Sequence, residues 1–174
     1  MANIGIFFGP EKGSVEKAAR KIAQEFGEEK ADLIPVKGAE VVDLEKYDKL
    51  VFGLSTIGKT NWDSEHKDID WDVFSSKLKS VNWTNKSVAI YSLGDQITYP
   101  QHFVDAIGWM YDRLMPLDVK VVGFVDPEGY KFEASEGFRN GLFMGLPLDE
   151  DTESDKTDVR ISHWVSLLVN EFGF

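Results

Sequence analysis

Short apolar runs alternate with amphipathic segments along the whole chain, and this alternation restricts the fold to few architectures. Apolar runs bounded by polar or turn residues are typical of strands buried on both faces, and they occupy residues 4–8, 50–54, 87–91 and 119–124, with a weaker fifth at 32–36. Helical spacing of apolar residues occupies residues 15–26, 71–78, 103–114 and 159–172. This order predicts right-handed βαβ units, and therefore one α/β domain over residues 1–174 whose doubly wound, five-stranded parallel sheet carries helices on both faces.

The loops that follow the predicted strands are the expected place for a ligand. In doubly wound sheets, ligands lie beyond the carboxyl ends of the strands, where the strand order reverses. Three such loops are rich in polar or turn-forming residues: residues 9–14, 55–70 and 92–102. The sequence therefore predicts a site built from these three loops.

The first loop, GPEKGS, joins a strand to a helix. A helix N-terminus offers unpaired backbone N–H groups and a positive dipole end to an anion. Ser14 is the one hydroxyl residue of the loop, Pro10 has no N–H to donate, and Lys12 supplies a cation for a phosphate group. The loop is either a phosphate site or an ordinary strand-to-helix connection with Ser14 as the N-cap.

The third loop, SLGDQITYPQHF, carries the groups that a planar ring system needs. Gly94 permits the turn after the strand, Asp95 and Gln96 offer an acceptor and an amide, and Tyr99 presents a flat aromatic surface. The alternative is that Tyr99 is a surface aromatic residue and Asp95 a turn residue or helix cap.

The second loop, STIGKTNWDSEHKDIDW, is long and polar, and such loops in compact domains tend to be functional or mobile. His66 lies among carboxylates, but no second histidine lies at ligand spacing, so a solvated charged loop is favoured over a metal site. Trp62 either covers a ligand or packs the loop down.

Net charge limits the classes of partner, and cysteine content bears on the cellular compartment. A formal net charge of −11 opposes binding to nucleic acid and to anionic lipid and favours a basic partner, although acidity that serves solubility alone is the alternative. The chain has no cysteine, no membrane-length apolar run and no basic region before its first apolar residues, and we expect a cytoplasmic protein.

Taken together, the loops and the long stretches around them resemble the flavodoxins, and specifically their long-chain branch. The resemblance spans the chain and is carried by IGIFFG at the start, by LGDQITYPQHFVDAIG in the middle, and by the sequence from VVGFVDPEGYKFEAS to the terminus. GYKFEAS followed by GLPLDEDTESDKT is similar to the insertion that interrupts the last strand in long-chain members. The resemblance therefore implies a flavodoxin-like sheet with an interrupted last strand.

The resemblance also implies non-covalent FMN and single-electron transfer. The residues at the family's phosphate-binding positions are Pro10, Glu11, Lys12, Gly13, Ser14 and Val15. For the isoalloxazine ring, the matching residues are Thr56, Ile57 and Gly58 on one face and Tyr99 on the other. Leu93, Gly94 and Asp95 complete the set in the third loop, with Asp95 near the pyrimidine edge. In the family, the peptide beside the flavin N5 reorients, and glycine at position 58 tolerates the positive φ that this requires.

Two departures from the family pattern concern the cofactor. Flavodoxins read roughly T-x-T-G-x-T in the phosphate loop, whereas this chain has Pro10, Lys12 and Val15 at the threonine positions. Hydrogen bonds to charged groups contribute about 1.5 to 3 kcal/mol each, so the missing hydroxyls weaken FMN binding unless Lys12 compensates. Ile57 replaces the family's tryptophan, and Trp62 in the lengthened loop is a candidate substitute.

The resemblance favours a low-potential electron carrier that is not a stand-alone enzyme. Its partners would be redox proteins that dock on the acidic surface of a monomer. The alternatives are an FMN-free or weakly binding regulatory module, indicated by the altered phosphate loop, and, ranked lowest, a quinone-reducing flavoenzyme with a nicotinamide donor, because no basic cluster for a dinucleotide is visible.

Overall fold

Five parallel strands form the central sheet of the computed structural model, which describes residues 3–55 and 69–174. The strands are β1 (Ile4–Phe8), β2 (Ala31–Pro35), β3 (Lys49–Leu54), β4 (Ser87–Leu93) and β5 (Lys120–Val122). Their order across the sheet is β2-β1-β3-β4-β5, so the direction of winding reverses between β1 and β3. The prediction of a five-stranded parallel sheet is confirmed.

The fifth strand position of the sheet is filled by two separate segments. A short antiparallel pair, β6 (Phe138–Arg139) and β7 (Leu142–Phe143), follows β5, and the chain then returns to the sheet as β8 (Leu146–Leu148). The first part of β4 pairs with β5, with Ser87 opposite Lys120, and its last part pairs with β8, with Leu93 opposite Leu148. Residues 123–145 thus form the insertion that interrupts the last strand, as expected.

The boundary of the insertion differs from the sequence interpretation. The resemblance places the whole stretch GLPLDEDTESDKT in the insertion, but its Leu146–Leu148 segment is the second half of the fifth strand. Three residues that include a proline are too few to show strand periodicity, so their pairing with β4 is apparent only in the sheet.

Five α-helices accompany the sheet in the described residues: α1 (Ser14–Phe26), α2 (Val41–Glu45), α3 (Ile69–Ser75), α4 (Asp105–Leu114) and α5 (Thr157–Glu171). Short 3₁₀ helices lie at Leu78–Ser80, Met115–Leu117 and Ser154–Lys156. The sequence missed α2, which is too short for a periodic signal and is held by a capping box between Glu40 and Asp43. Within the ranges described, no helix is long and apolar enough to cross a membrane.

Two apolar cores lie on opposite faces of the sheet. On one face, α1 and α5 cover alternate strand residues such as Ile6, Val51 and Ala89. On the other face, α2, α3 and α4 cover the intervening residues such as Phe7 and Phe52. The inner strands β1, β3 and β4 are therefore almost wholly apolar because both of their faces are buried, which is the pattern that marked them in the sequence.

Aromatic side chains fasten the insertion to the start of α4. Phe143 is fully buried, and its ring centroid lies 4.8 Å from that of Phe132 and 6.0 Å from that of Phe103, the residue that comes two positions before α4. A β-carbon added at Gly108, within α4, would lie 2.2 Å from the backbone oxygen of Glu136. The insertion thus packs closely against α4 at a glycine.

We predict that Gly108→Ala destabilises the protein, although alanine is the better helix former by about 1 kcal/mol. The added methyl group cannot fit against the Glu136 carbonyl without moving backbone, and such overpacking costs about 1 to 3 kcal/mol. Urea denaturation of the two proteins measures the change. A gain in stability would show that the insertion does not pack here as described.

Candidate functional site

The carboxyl ends of β1, β3, β4 and β8 meet at one edge of the sheet, where the sequence predicted a site. The first and third loops, at residues 9–14 and 92–102, lie within the described part of the chain, and residues 92 and 93 of the third loop are the end of β4. The predictions that concern Thr56, Ile57, Gly58, Trp62 and His66 fall outside the described residues.

The first loop leaves the N-terminus of α1 open. Gly13 is the N-cap and makes no side-chain capping bond, so the expected N-cap, Ser14, is instead the first helical residue. Gly13 has φ −124° and ψ −159°, the extended geometry of an N-cap, which the chain reaches after Lys12 at φ +69°. The first intrahelical bond runs from Lys17 N–H to the Gly13 carbonyl at 3.1 Å, and the N–H groups before it point out of the helix end.

Space and charge at this helix end suit an anion. Pro10, Glu11, Lys12 and Ser14 are exposed, and a β-carbon added at Gly13 would meet no atom within 4 Å. The positive end of the helix dipole and the ammonium group of Lys12 both favour a phosphate over water at this position. The loop can therefore hold a phosphate with main-chain N–H groups and one lysine.

Val15 takes part in the core rather than in the open face of the loop. Its side chain is 3% exposed, and its carbonyl accepts a 2.7 Å hydrogen bond from the Tyr91 hydroxyl. Burial raises the pKa of Tyr91 well above its usual range, so this hydroxyl remains a donor. The side chain of Val15 is therefore not available to a ligand.

The third loop is shaped by its own acidic residue. The Asp95 carboxylate accepts hydrogen bonds from the N–H groups of Ile97 at 3.1 Å and Thr98 at 2.8 Å. Partial burial raises the pKa of Asp95, but these hydrogen bonds outweigh it and lower the pKa overall. Asp95 is thus the turn residue that the sequence offered as one alternative, and it carries negative charge at the site.

Tyr99 presents its ring to solvent at the end of the same loop. Its side chain is 51% exposed, and its N–H bonds the Asp95 carbonyl at 3.1 Å. Gly94 lies where a β-carbon would come within 3.0 Å of Phe103 and Val104, so the chain passes close to the core before it turns outward. Leu93 is half-buried at the end of β4.

Gln96 is fully buried, so it does not offer an amide to a ligand as the sequence suggested. Its backbone N–H donates to Asp149 at 3.1 Å, and its side-chain NH₂ donates to Glu153. Its side-chain oxygen accepts from the N–H of Lys131 at 2.5 Å. The backbone N–H, the side-chain NH₂ and the side-chain oxygen of Gln96 therefore all have hydrogen-bond partners within the protein.

Two acidic residues after β8, Asp149 and Glu153, support the third loop, and neither was predicted from the sequence. Asp149 is fully buried and also accepts from the N–H groups of Asp151 and Thr152, at 3.1 and 2.8 Å. Glu153 accepts from Lys156, and from Arg160 at 3.0 Å. The signal that could have found them is their position directly after a strand, which was hidden because β8 was not recognised.

Negative charge is concentrated at this end of the site. The pKa of Asp151 is raised, first by partial burial and then by the nearby carboxylates of Asp95, Asp149 and Glu150. The positive dipole end of α1 and these carboxylates are therefore sources of opposite potential at the same edge of the sheet. In the ranges that the structure describes, no group of three or more histidine, aspartate and glutamate side chains is placed to hold a metal ion.

Comparison with known proteins gives consistent matches over the full length of the chain. The family model named Flavodoxin matches residues 6–164. The flavodoxin of Nostoc sp. is 41% identical over 170 residues, which cover 98% of this chain and 97% of that protein. The flavodoxin of Synechococcus elongatus is 40% identical over 174 residues, which cover 99% of both.

Solved structures give the same result. The flavodoxin of Fusobacterium nucleatum bound to flavin mononucleotide superposes with a TM-score of 0.87 at 27% identity over 99% of both chains. A lysine-to-glycine mutant of that protein, also bound to flavin mononucleotide, has a TM-score of 0.86 at 28% identity and covers 97% of this chain and 96% of that one.

We predict an acid sensitivity that depends on Glu153. Burial raises the pKa of Glu153, but hydrogen bonds from Lys156, Arg160 and Gln96 lower it from 4.5 to about 2. Since the folded-state pKa lies below the unfolded value, the stabilisation is present above pH 4.5 and is lost as the pH falls toward 2. Between about pH 5 and pH 3, wild type should lose about 1 to 2 kcal/mol more unfolding free energy than Glu153→Gln.

Urea denaturation across this range measures the difference, with the exposed residue Glu28 changed to Gln as the control. Glu28→Gln should follow wild type. Parallel pH profiles for wild type and Glu153→Gln would contradict the lowered pKa.

Proposed function

We propose, because the chain belongs to the flavodoxin family, that it binds FMN non-covalently and carries single electrons between redox proteins. The observation that carries the proposal is the open N-terminus of α1, which lies at the same sheet edge as the exposed ring of Tyr99. A phosphate cradle and a flat aromatic surface at one edge fit the two ends of FMN. The whole chain, residues 1–174, acts as one domain.

The main-chain N–H groups of Gly13, Ser14 and Val15 and the ammonium group of Lys12 would hold the phosphate. Pro10 and Glu11 shape the turn rather than donate side-chain hydrogen bonds. Because Pro10, Lys12 and Val15 stand where the family has threonines, Lys12 carries more of the binding than any one threonine hydroxyl would. A charge-assisted contact is roughly twice as strong as a neutral one, which offsets part of the loss.

The third loop would hold the ring. Tyr99 would stack on one face of the isoalloxazine, Leu93 and Gly94 would line the loop beside it, and Asp95 would lie toward the pyrimidine edge. Thr56, Ile57 and Gly58 would hold the other face.

FMN, when bound, supplies the chemistry by accepting and donating electrons one at a time. The protein sets the potential at which it does so. Asp95 and Asp151 lie at the acidic end of the site, and the chain has a net charge of −11. The electric field of these negative charges opposes further negative charge at the ring, so the reduction potential of bound FMN would be low.

Flavodoxins pass electrons to redox partner proteins, and the acidic surface of this chain supports docking by basic partners on a monomer. The chain then acts as a carrier rather than as a stand-alone enzyme. A cytoplasmic location is supported by the absence of cysteine. The FMN-free alternative is not favoured.

Titration of the purified protein with FMN tests the proposal. We expect a yellow one-to-one complex and two separate one-electron steps in a potentiometric titration. A protein that stays colourless with micromolar FMN, or a single two-electron step, would end the carrier hypothesis. Sustained NADH oxidation by the isolated protein would favour the flavoenzyme instead.

In the same titration, Lys12→Ala should weaken FMN binding about ten- to hundredfold, the value of one charged hydrogen bond. Lys79→Ala is the matched control, because Lys79 is an exposed lysine beside the amino end of β4. An unchanged affinity in Lys12→Ala would mean that the main chain alone replaces the missing threonines.

We also predict that electron transfer to a basic c-type cytochrome slows as salt rises. The screening length falls from about 30 Å at 0.01 M to about 8 Å at 0.15 M ionic strength, which removes the attraction between the partners. Stopped-flow absorbance gives the rate, and a neutral small-molecule acceptor serves as the control. A rate independent of salt would exclude docking by the acidic surface.

A further inference from the structure

We infer that Gln96 is a positioning residue that fixes the ring-binding loop, residues 94–99, to the segment after β8 and to the insertion. The inference rests on the proposed function, since it concerns how the loop meets FMN. The insertion and the segment after β8, which are both distant in sequence from the first loop, would then act on the cofactor site.

Gln96 has the environment of a core residue in an otherwise open loop. It is fully buried, whereas its neighbours Ile97 and Tyr99 are 56% and 51% exposed. An exposed side chain has few contacts that can hold it in one orientation. Gln96 is therefore the buried side chain that anchors this loop, in addition to the hydrogen bonds that Asp95 makes within it.

The segment after β8 holds Gln96 from one side. The Asp149 carboxyl group accepts from the Gln96 backbone N–H at 3.1 Å, and Glu153 accepts from its side-chain NH₂. Both acidic side chains are fixed in turn. The Asp149 carboxylate accepts from the backbone N–H and from the hydroxyl of Thr152, and the Glu153 carboxylate accepts from Arg160 at 3.0 Å.

The insertion holds Gln96 from the other side. The N–H of Lys131 donates to the Gln96 side-chain oxygen at 2.5 Å. The neighbouring Tyr130 donates its hydroxyl to the Pro147 carbonyl at 2.8 Å, and the Arg160 guanidinium lies 4.1 Å from the centre of the Tyr130 ring. The insertion also makes a hydrogen bond to the residue that follows the loop, since the N–H of Ala134 donates to the Pro100 carbonyl at 2.9 Å.

One side chain thus joins the loop, the insertion and the segment that leads into α5. Holding a binding loop in its bound geometry before the ligand arrives reduces the entropy lost on binding. The insertion and the segment after β8 therefore act on FMN affinity and on the environment of the ring through Gln96, without contacting the phosphate loop.

The test uses Gln96→Leu, which keeps the buried volume and removes both side-chain hydrogen bonds. The matched control is Lys86→Met, just before the amino end of β4 and therefore at the end of that strand opposite to the loop, where the buried Lys86 ammonium donates to the Tyr47 carbonyl at 2.6 Å. Each variant is measured for thermal stability without FMN, for FMN affinity, and for visible circular dichroism at saturating FMN, which reports the surroundings of the ring.

We expect Gln96→Leu to raise the FMN dissociation constant at least about tenfold and to change the visible dichroism of the bound flavin. Lys86→Met should lose stability but change the dissociation constant by less than about twofold, with an unaltered dichroism. Equal affinity and dichroism in wild type and Gln96→Leu would overturn the inference.

Glu153→Gln is the second variant, and it decides the question if Gln96→Leu does not fold. It weakens the acceptor for the Gln96 side chain but leaves Gln96 in place. A raised FMN dissociation constant relative to Lys86→Met supports the inference, and an unchanged one overturns it. A wild-type protein that fails to bind FMN would instead overturn the proposed function, and the inference with it, whereas loss in the variants alone bears only on Gln96.

Discussion

Strand β4 pairs with β3 along one edge and with both halves of the interrupted strand along the other, and the remaining structure depends on this double pairing. The register with β3 brings the loops after these strands to one edge of the sheet. The split on the other side sends the chain out as the insertion and returns it as β8, so that Asp149 follows a strand directly. Both faces of β4 are covered by helices, which makes the pairing costly to disturb.

In the proposed FMN site, two groups of residues act on different properties of the cofactor. The start of α1 and Lys12 would attract the phosphate and so determine how tightly FMN is bound. Asp95 and Asp151 would oppose negative charge on the ring and so lower its potential. Affinity and potential could then vary independently, and Pro10, Lys12 and Val15 at the family's threonine positions would alter the affinity alone.

The acidic end is built on two buried carboxyl groups, which are expensive to remove from water unless they are fully hydrogen-bonded. The Asp149 carboxylate accepts hydrogen bonds from backbone N–H groups and from the Thr152 hydroxyl. The Glu153 carboxylate accepts from a glutamine amide and pairs with two cations. A network of this kind holds a unique arrangement only when its members are satisfied. It converts the loop after β4, which has little apolar surface of its own to bury, into a fixed part of the structure.

The sequence by itself determined the alternation of the long strands and helices and the doubly wound parallel sheet that they form, because the apolar period of each long element is local information. It also indicated that Lys12 and Tyr99 lie in loops that follow strands, where both are exposed in the structure. Only the tertiary structure decided that Leu146–Leu148 completes the fifth strand, that Gly13 rather than Ser14 caps α1, and that Gln96 is buried. The strand and Gln96 depend on partners between 35 and 57 residues away, and the cap depends on backbone angles, neither of which leaves a periodic signal in the chain.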